Sequence, residues 1–221
     1  MWFSDDDEMK KCSKSVNEFI TKMNDEILTT SMGYQLTKEK LHGLLKSDSW
    51  LCDQIVNTAL EKIQFKKDEF ELTDSFFFTE LISLNERLSV PKWTAIFQNS
   101  RTWVIPVNFD RHWSLMVLKN DKIGILIECL DSMPTISRME KLKQQLLCSY
   151  QNISVEKKSF SFCYRQDCYM QADCDNCGVF LIGNIRALLS GKNPCNIEPK
   201  TARIGIASMI ISSFDEANQN S

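Results

Sequence analysis

The strongest candidate for chemistry is a cysteine that stands directly before an apolar, helix-like segment near the C-terminal end of the chain. Cys177 precedes Gly178, and the segment from Val179 to Leu189 has apolar residues at the three-to-four spacing of a helix. Gly191 follows at a position where helices commonly end. Cys177 is therefore predicted to lie at a helix N-terminus, where unpaired backbone N–H groups and the helix dipole favour the nucleophilic thiolate.

A nucleophilic thiolate needs a base, and the chain has only two histidines, His42 and His112. His112 begins an alternating apolar segment that ends at Leu118 and has the pattern of a strand. A second apolar segment follows and is directly succeeded by Asp131. A histidine on one strand and a carboxylate at the end of the next are a common way to build a Cys-His-acid site, so we predict His112 and Asp131 as its members. His42 lies on a short predicted helix, and we interpret it as structural or surface-exposed.

Simpler interpretations of these residues stay open from the pattern alone. A cysteine before an apolar helix is often just a small buried residue, and His112 by itself is equally compatible with a hydrogen-bonded core histidine. Glu128 lies three residues before Asp131 and is a rival carboxylate. Its position within the strand pattern favours a solvent-facing strand residue instead.

Four cysteines near the C-terminal end bear on metal and redox chemistry. They are Cys163, Cys168, Cys174 and Cys177, and only the last pair has the short spacing that zinc sites use, with no histidine nearby. We therefore predict no metal and no cofactor. A reversible disulfide between Cys174 and Cys177 that shields the nucleophile from over-oxidation is a further hypothesis, and its simpler alternative is that Cys174 is a bystander thiol.

Length and composition describe one ordinary globular domain. A chain of 221 residues with 43% hydrophobic and 25% charged residues can bury a single core. The net charge of −3 and the scattered lysine pairs give no reason to expect nucleic acid as a partner. No apolar run is long enough to span a membrane, and the N-terminus is acidic where a secretory signal is basic and then apolar. We expect an intracellular monomer, in the nucleus or cytoplasm, with mostly reduced cysteines and no membrane contact.

Helical spacing of apolar residues predicts six further helices that must position the candidate site. They cover residues 9–30, a short segment after Thr37, residues 50–63, a segment that begins near Val90, residues 137–149 and residues 200–214. Asp48 and Ser49 are the predicted caps of the third, and Pro91 is predicted to lie in the first turn of the fourth. The last helix is predicted to pack on the outside of the domain.

Strand patterns lie between these helices. They cover residues 103–108, 113–118 and 123–130, with a turn at Asn120 and Asp121, and a further strand is predicted at residues 153–160. An order of helices, then strands, then helices is typical of an α+β fold. We predict a single catalytic domain over residues 1–221, with residues 1–8 and 215–221 frayed.

Several of these segments, taken in order, resemble the Ulp/SENP family of cysteine proteases, which cut SUMO and related ubiquitin-like modifiers. The resemblance covers residues 10–210. It rests on Trp50-Leu-Cys-Asp53, on Phe76-Phe77 with the later Trp93, on the His112-Trp113 strand, on Leu130-Asp-Ser-Met133, and on Gln171 six residues before Cys177. The fold that it implies is papain-like, of the Ulp/adenain type, with a central mixed β-sheet flanked by helices.

The resemblance implies a catalytic role for four residues. Cys177 would be the nucleophile, and His112 would take its proton and later protonate the leaving amine. Asp131 would hold the imidazole in the right orientation. Gln171, together with the backbone N–H of Cys177, would stabilise the oxyanion of the tetrahedral intermediate.

The resemblance also implies how a substrate binds. Trp50 and Trp113 would wall a slot so narrow that only the Gly-Gly tail of a modifier fits it, and Asp53 would contact an arginine of the modifier. The implied partners are SUMO, or a related ubiquitin-like modifier, and its conjugates, cleaved after Gly-Gly in precursor maturation or in release from lysine. Cys52 stands where the family usually has asparagine, which is a departure from its pattern.

Three alternative functions remain. The first is a protease for ubiquitin or for another ubiquitin-like modifier, because the surface that selects the modifier is not visible in the sequence. The second is an acyltransferase with a Cys-His-Asp site of the same architecture, against which the two tryptophans argue. The third is a non-catalytic module that binds a modifier, against which the complete set of four predicted catalytic residues argues.

Overall fold

The computed structural model describes residues 2–24, 27–151, 158–165, 167–192 and 197–219, which form eight helices and seven strands. The helices are α1 (Asp6–Lys22), α2 (Lys38–Leu45), α3 (Asp53–Glu61), α4 (Ser75–Leu81), α5 (Glu86–Gln98), α6 (Ile136–Gln151), α7 (Cys177–Leu189) and α8 (Pro199–Gln219). The strands are β1 (Leu28–Thr29), β2 (Gln35–Leu36), β3 (Phe70–Leu72), β4 (Thr102–Phe109), β5 (His112–Asn120), β6 (Gly124–Leu130) and β7 (Ser159–Tyr164). None of the helices in these ranges combines the length and apolar character that crossing a membrane requires.

A five-stranded mixed sheet forms the centre of the fold, with its strands in the order β3-β4-β5-β6-β7. Strands β4, β5 and β6 are antiparallel neighbours, whereas β3 and β7 pair in parallel at the two edges. Strands β1 and β2 form a separate antiparallel pair. The three consecutive strands predicted from the sequence are confirmed, and so is the α+β architecture of a mixed sheet flanked by helices.

Each face of the sheet packs against its own apolar cluster. Leu115 and Val117 of β5 belong to the cluster that includes residues of α1, α2, α3, α7 and α8. Met116 and Leu118 belong to the cluster that includes residues of α4, α5 and α6. Because side chains alternate along a strand, the continuous apolar pattern of β5 contributes to both clusters, and residues 112–118 are buried between two helical layers.

Helix α7, which carries Cys177 at its first position, is almost entirely enclosed. Ten of its 13 residues are buried, and it lies between β5 and α8. A helix that is apolar on all sides is stable only when other elements cover all of them. The N-terminus of α7 is therefore held in a fixed position relative to the sheet, which is what a nucleophile at that point requires.

The predicted starts of two helices are wrong. Helix α5 begins at Glu86, where the side chain of Asn85 accepts a hydrogen bond from a backbone N–H of the first turn, so Pro91 lies inside the helix. Helix α3 begins at Asp53 after Cys52, which makes no side-chain cap. At α5 the local cap of Asn85 sets an earlier start than the Val90 signal, whereas at α3 the predicted cap residues lie in a loop that precedes the helix.

The bounds of the first and last helices also differ from the prediction, whereas the fraying of residues 1–8 and 215–221 stays a prediction. The carboxylate of Asp5 accepts a hydrogen bond from the backbone N–H of Glu8 at 2.8 Å, so residues 6–8 are helical. Helix α1 ends at Lys22 rather than at residue 30, and the backbone of α8 is helical to Gln219. The tail prediction for residues 220–221 lies outside the described residues, as does the predicted strand over residues 153–157; β7 is found at Ser159–Tyr164.

Helix α8 is not an outer helix as predicted. It contacts α1, α2, α3 and α7, and most of its side chains up to Ile211 are buried. Arg203 in its middle is only 1% exposed. Burial of an arginine at this depth requires hydrogen-bond partners, which the loops around Cys177 provide.

Candidate active site

The structure brings Cys177, His112 and Asp131 together at one end of the sheet. His112 is the first residue of β5, and Asp131 directly follows β6. These strands are antiparallel with Leu115 opposite Leu130, so the beginning of β5 lies beside the end of β6. As a result Nε2 of His112 lies 2.6 Å from Oδ1 of Asp131.

Cys177 faces His112 from the N-terminus of α7. Its side chain is 3% exposed, and interactions with the His112 ring and with the backbone N–H groups of Trp113 and Gly178 lower the pKa of its thiol against the opposing effect of burial. Because Asp131 engages Nε2 of the ring, the nitrogen that meets the sulfur is Nδ1. This is the order of contacts that a Cys-His-acid site needs, with each group oriented by the next.

The environment of this pair favours a thiolate and an imidazolium. Burial opposes charge on Cys177, but the hydrogen bonds from His112 and from two backbone N–H groups outweigh it, and the pKa of the thiol lies below its ordinary value. Burial likewise opposes charge on His112, but its hydrogen bonds to Asp131 and Cys177 raise the pKa of the imidazole. A lowered cysteine pKa and a raised histidine pKa both move the proton from sulfur to ring near neutral pH.

Both carboxylate oxygens of Asp131 are engaged. Oδ1 accepts hydrogen bonds from His112 and, at 2.8 Å, from the backbone N–H of Met133, while Oδ2 lies 3.2 Å from Nη2 of Arg138. Burial raises the pKa of Asp131, but His112, Met133 and Arg138 outweigh it and keep the pKa below its usual range. The rival carboxylate, Glu128, is instead paired with Lys119 at 3.2 Å.

Gln171 is buried beside the turn that carries Asp131. Its backbone N–H donates to the carbonyl oxygen of Ser132 at 2.9 Å, and its side-chain oxygen accepts from the Ser132 hydroxyl at 2.6 Å. Its Nε2 donates to the carbonyl oxygen of Asp173 at 2.7 Å. Since a carboxamide carries two N–H groups, one is left over from these contacts for a substrate oxygen. The oxyanion role of Gln171 stays a prediction.

Trp113 is held tightly against the start of α7. Its indole N–H donates to the carbonyl oxygen of Leu51 at 2.9 Å, and its ring is 4% exposed. A Cβ at Gly178 would lie 2.9 Å from Cβ of Leu51 and 3.2 Å from Cδ1 of Trp113, closer than ordinary packing allows. Gly178 therefore lets β5 and the Leu51 segment approach α7 closely enough for the Trp113 backbone to reach the sulfur of Cys177.

Trp50 also contacts the segment that carries Cys177. Its ring is 53% exposed, and its indole N–H donates to Oδ1 of Asp175 at 2.8 Å. Asp175 precedes Cys177 by two residues, so both tryptophans singled out in the sequence contact the segment that carries the nucleophile. Asp53 lies further away, against α4, where it accepts a hydrogen bond from the Ser75 hydroxyl at 3.2 Å.

The remaining cysteines do not form a cluster. Within the described ranges, no three histidine, cysteine, aspartate or glutamate side chains come together as a metal site. Cys163 and Cys174 are exposed, whereas Cys168 is buried with its sulfur 3.3 Å from the carbonyl oxygen of Asp131. Neither Cys174 nor Cys177 is in a disulfide, and the proposed protective bridge between them stays a hypothesis.

Arg203 is a residue of the site that the sequence did not reveal. Its Nε donates to Oδ1 of Asn176 at 2.8 Å, its Nη1 to the carbonyl oxygen of Leu44 at 2.9 Å, and its Nη2 to that of Ser49 at 2.6 Å. It thus ties α8 both to the residue before Cys177 and to the loop that precedes Trp50. An arginine in a helix is usually solvated, and the apolar residues around it in the sequence were the only signal of its burial.

Iodoacetamide is expected to alkylate Cys177 at least about tenfold faster than the other thiols near neutral pH, because among the cysteines of the described residues Cys177 alone has a histidine and backbone N–H groups that lower the pKa of its thiol. Peptide mass spectrometry over a time course measures each site. His112→Ala should slow the labelling of Cys177, whereas His42→Ala, at the exposed second histidine, should not. A rate at Cys177 that is no higher than the rates at the exposed cysteines would contradict an activated pair.

Two sequence comparisons both match this chain to proteases. Residues 49–204 match the model of the Ulp1 protease family, C-terminal catalytic domain. A curated relative, ubiquitin-like-specific protease 2 of Saccharomyces cerevisiae, is 30% identical over 100 residues, which are 39% of this chain and 10% of that protein. The chain therefore matches about a tenth of the length of this relative.

Solved structures show the same fold. The C-terminal Ulp1 protease domain in complex with Smt3, the yeast orthologue of SUMO, has a TM-score of 0.66 and 18% identity, and the match covers 93% of this chain and 96% of that one. A Ulp1-like SUMO protease catalytic domain from Chaetomium thermophilum gives 0.67 and 20%, covering 92% and 89%. The Xanthomonas campestris effector XopD bound to ubiquitin gives 0.58 and 17%, covering 76% and 92%.

Proposed function

Since the chain belongs to the Ulp1 protease family, we propose that it is a cysteine protease that cleaves ubiquitin-like modifiers after their C-terminal Gly-Gly. We propose SUMO as its preferred substrate. The observation that carries this proposal is the contact between the Cys177 sulfur at the start of α7 and a histidine whose other nitrogen lies 2.6 Å from a buried aspartate. The bond cleaved is a peptide bond in a modifier precursor or an isopeptide bond to lysine.

In the proposed reaction, the thiolate of Cys177 attacks the carbonyl carbon of the terminal glycine. The oxyanion that forms is stabilised by the backbone N–H of Cys177 and by the amide of Gln171. The imidazolium of His112 then gives its proton to the departing amine, which leaves a thioester on Cys177. His112 next takes a proton from water, and the hydroxide adds to the thioester and releases the modifier with a free carboxylate. Asp131 holds the ring in one orientation through both steps.

The proposed approach to the sulfur lies between the two tryptophans. Trp113 is fixed by Leu51 and Gly178, and Trp50 is fixed at its indole N–H by Asp175. A substrate between two such rings has little room for side chains, and this supports the preference for glycines next to the cleaved bond. The same argument disfavours the acyltransferase alternative, because that reaction has no need of a slot of this kind.

The choice of SUMO is supported by what similar proteins bind. The Ulp1 domain was solved with the yeast SUMO orthologue, and the Chaetomium thermophilum domain is described as a SUMO protease. XopD was solved with ubiquitin, which keeps a ubiquitin-directed protease as the alternative. Selection between them requires contacts with the folded part of the modifier, and Asp53 is the candidate residue on this chain for such a contact.

A panel of modifiers that carry a C-terminal electrophile tests the proposal. SUMO, ubiquitin and other ubiquitin-like probes are each incubated with the protein, and adducts are located by peptide mass spectrometry. We expect the SUMO probe to react at least about tenfold faster than the ubiquitin probe and to attach at Cys177. Cys174→Ser, at the exposed cysteine of the same loop, is the matched control and should keep full labelling.

Two results would overturn parts of the proposal. Faster reaction of the ubiquitin probe would replace SUMO by ubiquitin and leave the proteolytic chemistry intact. No adduct with any modifier, in a protein whose Cys177 still reacts with iodoacetamide, would remove modifier cleavage altogether.

A further inference from the structure

Arg138 lies against the carboxylate that orients His112. It is the third residue of α6, its side chain is 12% exposed, and its Nη2 is 3.2 Å from Oδ2 of Asp131. The same nitrogen donates to the carbonyl oxygen of Met133. Arg138 thus binds Oδ2 of Asp131 and the turn that follows it. Oδ1 of Asp131 accepts the hydrogen bonds from His112 and from the Met133 N–H.

A contribution to the stability of the fold does not by itself explain why Arg138 is buried beside Asp131. Its Nε is buried, and within the described residues it has no hydrogen-bond partner. Burial of a guanidinium with an unsatisfied N–H costs free energy that one ion pair and one hydrogen bond to a backbone carbonyl do not reliably recover. A hydrocarbon side chain at this position would avoid that cost, so the contact with Asp131 requires another explanation.

Within the part of the chain that the structure describes, Asp131 forms ion pairs with His112 and Arg138. The other titratable groups around the carboxylate are Cys129 on β6, Tyr164 on β7 and Cys168 in the loop after β7. Burial raises the pKa of each of these three groups, so all are neutral in the range where a cysteine protease works. On the His112 side, the reacting pair therefore lies beside a negative charge on Asp131 and a positive charge on Arg138. On the Cys177 side, the charge of Arg203 also acts on the sulfur, and Arg203 is in turn compensated by the nearby carboxylates of Asp173 and Asp175.

We propose that Arg138 is a positioning residue for the proposed protease: it locks the carboxylate of Asp131 against His112 and sets the pH range over which the Cys177–His112 pair is active. This inference rests on the proposed function only for the identity of the reacting pair. Nothing in the sequence pattern marks Arg138, which is seven residues beyond Asp131 in a helix with an otherwise solvated outer face.

The direction of the pH effect follows from charge. Arg138 lowers the pKa of Asp131 and counteracts the rise in the pKa of His112. Cys177 and His112 titrate as a coupled pair with two apparent pKa values, and a nearby positive charge lowers both, because each proton adds positive charge. Removal of the charge therefore raises both values and moves the active range to higher pH.

The test is the pH profile of Cys177 alkylation by iodoacetamide, from about pH 4 to about pH 10, for the wild type, Arg138→Met, Arg138→Lys and the control Lys141→Met. Lys141 lies on the same helix in an exposed ion pair with Asp110 at 3.8 Å, so its charge is screened. We expect Arg138→Met to move the acidic midpoint upward by about 0.5–1 pH unit, and expect Lys141→Met to leave it in place. Arg138→Lys keeps the charge and should keep the midpoint.

Measurements of kcat and KM distinguish a positioning role of Arg138 from a general effect on folding. With a SUMO substrate, Arg138→Met should lower kcat by about tenfold with little change in KM, because the group that it positions acts on the reacting atoms and not on binding. If the methionine variant fails to fold, Arg138→Gln provides the neutral variant of similar shape. An unmoved midpoint in the neutral variant, or an equal shift in Arg138→Lys, would overturn the inference. Because alkylation needs no modifier, this result is independent of which substrate the enzyme cleaves.

Discussion

Replacement of Cys177 by alanine is expected to lower kcat for modifier cleavage by at least about 10⁴-fold while the affinity for the modifier stays within about threefold of the wild type. The substitution removes the sulfur that forms the thioester. It leaves the backbone N–H of residue 177, Gln171 and both tryptophans in place, and these are the groups that would hold the substrate. Cleavage of a SUMO precursor measures kcat, and calorimetric titration with mature SUMO measures affinity.

The fold should tolerate this change. Cys177 is a small side chain that is 3% exposed at the start of α7, and loss of one buried sulfur costs about 1 kcal/mol. Cys174→Ala is the control, because it removes an exposed thiol three residues earlier and should keep full activity. More than about a tenth of the wild-type rate in Cys177→Ala would show that this cysteine is not the nucleophile.

The position of the reacting groups could be predicted because local rules determine it. The apolar pattern of α7 begins directly after Cys177, and this predicts Cys177 at an N-terminus. Two strands joined by a short turn must run antiparallel, which brings the start of β5 and the end of β6 together and so pairs His112 with Asp131. The distance of 2.6 Å between them was not predictable, but their neighbourhood was.

The two arginines behind the site could not be predicted in the same way. Charged residues of helices are usually at the surface, and no spacing rule distinguishes a buried arginine such as Arg138 or Arg203 from a solvated one. Their partners are largely backbone carbonyl groups, which every residue carries, so the partners leave no mark in the sequence. Only the packing of α6 and α8 against the loops shows that these guanidinium groups are enclosed.

The start of α3 was predicted wrongly for a related reason. Asp48 and Ser49 are typical cap residues, but the carbonyl oxygen of Ser49 accepts a hydrogen bond from Arg203, 154 residues away. The loop from residue 46 to residue 52 is therefore shaped by a contact with α8, and the helix begins only at Asp53. A local signal for a cap was overridden by a contact that exists only in the folded chain.

Arg203→Met is expected to destabilise the protein by about 3–5 kcal/mol, because it leaves the oxygens of Leu44, Ser49 and Asn176 without their donor in a buried place. For a chain of this size the midpoint of thermal unfolding should fall by roughly 10 °C, which calorimetry measures. Lys200→Met, at an exposed position in the first turn of α8, is the control and should change stability by less than about 0.5 kcal/mol.

The kinetics of Arg203→Met below its unfolding temperature show whether Arg203 only stabilises the fold or also positions the two sides of the site. Arg203 joins the residue before Cys177 to the loop that ends at Trp50, so its loss should let the nucleophile and the slot move relative to each other. KM should then rise and kcat should fall together, and both effects should weaken in Arg203→Lys, which keeps one donor group. Unchanged kinetics in a destabilised variant would contradict this, because α8 would then support the fold without holding the two sides of the site in register.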